Sequence, residues 1–149
     1  MCWCIIVTEI ELFGKLCLHY TLLDGEIDAK TDSDFKQQFE KLFSSDSARG
    51  SKRVVYIWST RSCIPRLKGK SNIVYIGKTR SSLYERHHRY AKVEGEGLNW
   101  ERYRHIIEEF GPIVVHFAAC DDDPRETEKA LIHLYLTEHL ELPPLNRVR

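Results

Sequence analysis

No run of apolar residues in the chain comes near the roughly 18 needed to cross a bilayer. No CxxC pair occurs among Cys2, Cys4, Cys17, Cys63 and Cys120, and five cysteines at irregular spacing make no disulfide framework. Cys2, Cys4, Cys17 and His19 are the one set a zinc ion could gather, and the missing knuckle spacing weighs against it. The first residues have no basic stretch and carry Glu9 and Glu11, unlike a signal peptide. These absences lead to the expectation of an intracellular protein with reduced thiols and no membrane span. No internal repeat appears, and 42% apolar with 30% charged residues argues against a disordered chain. With 149 residues, one domain with its own core is expected.

Net charge is also absent, at +0, but the zero conceals a segregation. Residues 1–48 hold 4 basic and 9 acidic residues, and residues 93–149 hold 6 against 12. Between them, residues 49–92 hold 12 basic residues and a single acid, Glu85. A cationic block on an otherwise acidic chain points to a polyanion docking on one face.

Residues 5–12 and 16–23 read as two strands of a hairpin turning at Phe13-Gly14-Lys15, followed by a helix with Phe35, Phe39, Leu42 and Phe43 on one side. Residues 44–52 are polar enough for a linker, so 1–50 form an N-terminal hairpin-and-helix extension and 51–149 the core. In that core, Val54-Val55-Tyr56-Ile57-Trp58 and Ile73-Val74-Tyr75-Ile76-Gly77 are predicted antiparallel neighbours joined by a long basic connection over 59–71. Ser82 with Glu85 is a capping box, and the helix it opens carries Leu83, Arg86, His87 and Tyr90 on one face. A helix capped at Asn99 and stopped at Gly111-Pro112 follows, then a strand over 113–119, then a helix capped by Asp123 with Pro124 at its first position. The expected fold class is α+β: a small, about three-stranded antiparallel sheet flanked by helices.

Glu128 lies on the apolar stripe of the last helix, with Leu131, Ile132 and Tyr135, where an uncompensated carboxylate is costly. A lone carboxylate of this kind holds Mg²⁺ or Mn²⁺ loosely, with water and phosphate oxygens completing the shell. Arg86 presents a planar fork for phosphate, and Tyr56 or Tyr75 is placed to take or relay a proton if a cation lowers its pKa from about 10. Lys78 is a second phosphate candidate, and Gly77 has the look of a close-approach or bulge glycine. Arg61, Arg66, Lys68, Lys70, Arg80 and Arg89 complete the basic block as candidate nucleic-acid contacts.

Val55-Tyr56-Ile57 and Tyr75-Ile76-Gly77 resemble the paired strand motifs of the GIY-YIG nuclease family. The family's other landmarks follow in order: Arg86, Glu128 in Glu-x-x-Leu-Ile, and Asn146 in Pro143-Pro144-Leu145-Asn146. The match covers residues 54–146. Valine stands where the first motif usually has glycine, and the connection between the motifs is longer and more basic than usual. The resemblance implies a metal-dependent endonuclease with Tyr56, Tyr75, Arg86 and Glu128 catalytic, Glu128 the metal ligand, and Gly77, Lys78, Tyr90 and Asn146 in support. Tyr90 stands where some relatives carry a histidine one turn past the arginine. The expected partner is DNA, double-stranded, with a homo-oligomer required for double-strand cleavage. An inactive nucleic-acid-binding module of the same fold, or a nuclease acting on RNA, is the alternative.

Overall fold

The computed structural model of the chain describes residues 6–146. Cys2, Cys4 and the first residue of the expected N-terminal strand lie outside the described residues. The element order is β1 (Ile6–Val7), α1 (Glu9–Lys15), β2 (Tyr20–Leu22), α2 (Asp32–Phe43), α3 (Asp46–Gly50), β3 (Lys52–Pro65), β4 (Lys70–Ser82), α4 (Leu83–His87), α5 (Ala91–Glu94), α6 (Gly97–Phe110), β5 (Val114–Ala119) and α7 (Pro124–His139). The class is α+β. The sheet has the strand order β1-β4-β3-β5-β2, with four strands antiparallel and the two-residue β1 joined parallel to β4.

The expected N-terminal hairpin is corrected: the stretch proposed to turn at Phe13-Gly14-Lys15 is helical. Thr8 and Glu11 form the reason, for the Thr8 hydroxyl accepts the Glu11 amide hydrogen at 3.3 Å and starts α1. Leu12 and Phe13 then face the core together. The sheet is also larger than three strands, because β1 and β2 add to its two edges. Part of the expected linker is the short helix α3, capped by Ser45.

The expected long connection over 59–71 is mostly strand. β3 and β4 run on past Ser59 and Ile73 to a turn that Arg66 and Gly69 close at 3.0 Å, with Gly69 at φ 69°. The ladder slips between Ser59 and Ile64, and side chains fill the gap: Thr60 donates to the Ser62 and Asn72 carbonyls, and Asn72 donates back to the Thr60 carbonyl.

Alternation along β3 divides the core into two layers. Val54, Tyr56 and Trp58 join Phe35, Phe39 and Phe43 of α2 and Tyr103 of α6 on one face. Val55 and Ile57 join Leu131 and Tyr135 of α7 and Leu12 and Phe13 of α1 on the other. The segment before residue 51 therefore contributes three buried phenylalanines to the layer that carries Tyr56.

Candidate functional site

Register explains how the central residues meet. Tyr56 lies opposite Gly77 and Trp58 opposite Tyr75, so four consecutive partners on one face are three aromatics and a glycine. A Cβ at Gly77 would come within 2.6 Å of the Tyr56 ring. Glycine is required there by this close approach, and it lets the buried Tyr56 ring lie across β4. Tyr75 packs 5.1 Å from Trp58 and 6.0 Å from Tyr56, ring centre to ring centre.

Ser82 accepts the Glu85 amide hydrogen at 3.0 Å and opens α4, as its capping pattern predicts. The helix ends at His87, so Tyr90 is brought to the site by the turn into α5 instead of by a continuous helix face. The Arg86 guanidinium stands 5.3 Å from the Tyr90 ring centre. Its neighbours include Tyr56 and Tyr75; partial burial opposes its charge, yet these phenols and the bond to Tyr90 raise its pKa overall.

His87 has a structural role. Its ring is buried, stacks on Phe43 at 4.0 Å, and its Nδ1–H donates to the Leu83 carbonyl at 2.9 Å. Burial lowers its pKa to about 3, so it is neutral across the working pH range. Tyr56 departs from its ordinary range in the other direction. Burial, then the nearby Tyr75 and Glu128, hold its pKa well above 10 despite the Arg86 charge, so it stays a neutral phenol.

Asn146 clamps the open edge of β4. Its Oδ1 accepts the Ile76 amide hydrogen and its Nδ2 donates to the Ile76 carbonyl, both at 2.9 Å, while the Leu145 amide donates to the Val74 carbonyl. Beyond Ser71 no strand pairs on that side among the described residues, and the C-terminal segment satisfies the edge in its place.

Tyr56, Tyr75, Arg86, Glu128, Tyr90 and Asn146 all line one cleft of about 1060 Å³. A second concavity of about 740 Å³ is lined by Lys78, Thr79, Arg80, Ser81, Arg125 and Lys129, and it shares Arg86 and Glu128 with the first. Those two side chains thus stand at the boundary between an aromatic cleft and a cationic groove. Glu128 is only partly buried, not enclosed in the apolar stripe where its helical position alone would put it.

The basic block does not act as a unit. Lys78 and Arg80 line the groove, whereas Arg61, Arg66, Lys68, Lys70 and Arg89 line neither concavity. Arg66 is committed elsewhere: its guanidinium pairs with Glu141 at 3.1 Å and donates to the Leu142 carbonyl at 2.7 Å. Reading by charge blocks passed over Arg125 and Lys129, which belong to the acidic third of the chain. Their spacing around Glu128 was the available signal, because i, i+3 and i, i+4 put them on one helix face.

Among the described residues, no group of three or more His, Cys, Asp or Glu gathers to hold a metal. Glu128 is the one carboxylate of the described residues that lines both concavities, Glu94 lining the first alone, and neither has the thiolate and imidazole company of a closed zinc site. No helix among the described residues is long and apolar enough to cross a membrane. No protein-family model, curated protein or solved structure matches the chain.

Proposed function

We propose that the chain is a DNA endonuclease of GIY-YIG type that hydrolyses phosphodiester bonds with Mg²⁺ or Mn²⁺. The observation that carries this reading is the convergence of Tyr56, Tyr75, Arg86 and Glu128 on one cleft, continuous with a groove of lysines and arginines.

The groove side chains Lys78, Arg80, Arg125 and Lys129 hold the strand by its phosphates. Arg80 and Lys129 have carboxylate partners, Asp123 and Glu126, but exposed pairs of this kind are weak and exchange readily for phosphate. Arg86 forks onto the scissile phosphate and meets the charge that develops on its oxygens. Glu128 would hold the metal ion, whose charge would offset that of the phosphate and favour deprotonation of the attacking water. Tyr56 keeps its own proton and acts as a fixed donor, oriented by the ring's fit over Gly77. The phenol left to relay the water's proton is Tyr75, partly exposed in the cleft and hydrogen-bonded to Tyr56: it accepts that proton while passing its own to solvent, and the leaving oxygen takes a proton from solvent.

The test is cleavage of supercoiled plasmid and labelled oligonucleotides with Mg²⁺, comparing wild type with Arg86→Ala, Glu128→Ala, Tyr75→Phe and Tyr56→Phe. Loss of one preorganised charge contact costs about 10²- to 10³-fold in rate, and that is expected for Arg86→Ala and Glu128→Ala. Nicking that persists unchanged in both variants would overturn the assignment.

A further inference from the structure

Hydrolysis accounts for the groove and for Arg86, Glu128 and the two phenols, but not for the rest of the aromatic cleft. At about 1060 Å³ it is at the upper limit of ligand pockets. Tyr75 and Tyr90 supply aromatic surface, with Trp58 packed behind Tyr75, and the lining carries Val93 and Leu98, which are 54% and 73% exposed. Two aliphatic side chains left in water at the mouth of a cleft beside a polyanion groove are not there to contact phosphate.

On one side of Arg86 and Glu128 the lining mixes aromatic and aliphatic side chains with Glu94, Asn99 and Arg102, and on the other it is cationic, an arrangement that matches a base and its adjoining phosphates. We infer that the cleft receives one unstacked nucleobase while the groove holds the adjoining phosphates, so that the substrate is nucleic acid with an unpaired nucleotide beside the scissile bond. A base inside a regular duplex has both faces stacked and its pairing edge occupied, and offers nothing to such a cleft. A splayed base offers a π-face to the rings and its pairing edge to the polar side chains of the lining, Glu94, Asn99 and Arg102. The inference rests on the nuclease reading for the position of the scissile phosphate, but its signature is in binding.

The experiment uses the full chain in EDTA, with affinities measured by fluorescence anisotropy. Three DNA probes are compared: a perfect duplex, the same duplex with a one-nucleotide bulge, and that bulge made abasic. The intact bulge should bind about tenfold tighter than the other two, the effect of one base–aromatic stack. Val93→Ser with Leu98→Ser, both exposed and checked for folding by circular dichroism, should bring the bulge-to-abasic ratio towards one and leave duplex affinity unchanged. Equal affinity of wild type for the intact and abasic bulges overturns the inference, even if the protein cuts DNA. Base-dependent affinity without cleavage in Mg²⁺ supports the cleft's role and overturns the nuclease reading alone.

Discussion

Gly77 shows how a single residue is set by what crosses it. With the Tyr56 ring 2.6 Å from where a Cβ would sit, Gly77→Ala must displace either the ring or β4. Overpacking of this kind costs about 1–3 kcal/mol. It also moves the phenol that faces Arg86, so cleavage should fall by at least 10²-fold while the protein remains folded by circular dichroism. A variant with wild-type rate would show that the position of the Tyr56 ring is immaterial. His87 makes a separate prediction, about stability. Its folded pKa of about 3 lies below the unfolded value of about 6.5, so between these limits the unfolded chain binds a proton that the native state does not. Stability is therefore full above pH 6.5 and declines as pH falls towards 3, by up to about 1.4 kcal/mol per pH unit. Urea midpoints should fall from pH 7 to pH 5, and His87→Leu should flatten that slope if the buried imidazole is its source.

At the scale of elements, the edge of β4 is where chemistry and folding are joined. Asn146 replaces a neighbouring strand with one amide side chain, using its donor and acceptor on the same residue, Ile76. Ile76 lies between Tyr75 and Gly77, so the clamp holds the strand on which the cleft is built. Asn146→Ala removes both bonds and leaves a buried backbone pair partly unsatisfied, at a cost of about 1–3 kcal/mol. Thermal denaturation should show the loss, and hydrogen exchange at the Ile76 amide should accelerate well beyond the global change. Exchange at Ile76 no faster than at the centre of β3 would rule out the clamp. The hairpin arm of β3 and β4 is held in a comparable way by the end of α7 and the segment after it: the buried His139 donates through Nδ1–H to the Lys68 carbonyl at 2.8 Å, and Arg66 pairs with Glu141. This explains why a segment so basic in sequence contributes less free charge than its residue count suggests.

Across the whole molecule, Arg86 and Glu128 meet at one cleft, so under the nuclease proposal one copy would have one place to cut. A monomer should convert supercoiled plasmid to open circles first and reach linear DNA only by a second, independent nick. Linear product appearing in parallel with open circles, at a protein concentration where sedimentation shows only monomer, would contradict the single-site proposal. An initial rate of linearisation that rises with the square of protein concentration would instead indicate two copies acting together.

Much of what is decided within one or two turns was legible in the sequence, though not the Thr8 cap of α1 nor the start of α6, which begins at Gly97 ahead of the expected Asn99 cap. The Ser82 and Asp123 caps, the glycine stop at Gly111 and the α2 phenylalanine stripe are all present, because caps and helical periodicity involve residues within one or two turns. The co-location of Tyr56, Tyr75, Arg86 and Glu128 in one cleft was anticipated from motif order. Their spacing alone could not settle whether Glu128 would be enclosed or accessible. Residues 8–15 were misread because an apolar run beside a glycine suits a hairpin as well as a helix, and the Thr8–Glu11 cap decides between them. Charge counting along the chain grouped Arg66 with Lys78 and left out Arg125 and Lys129. Only the tertiary structure separates them, since a guanidinium's role depends on which carboxylate or carbonyl the fold brings within 3 Å of it. Sequence by itself determined the elements and the side chains offered for chemistry; packing across the β4 edge decided which of them face one another and which are spent on holding the fold.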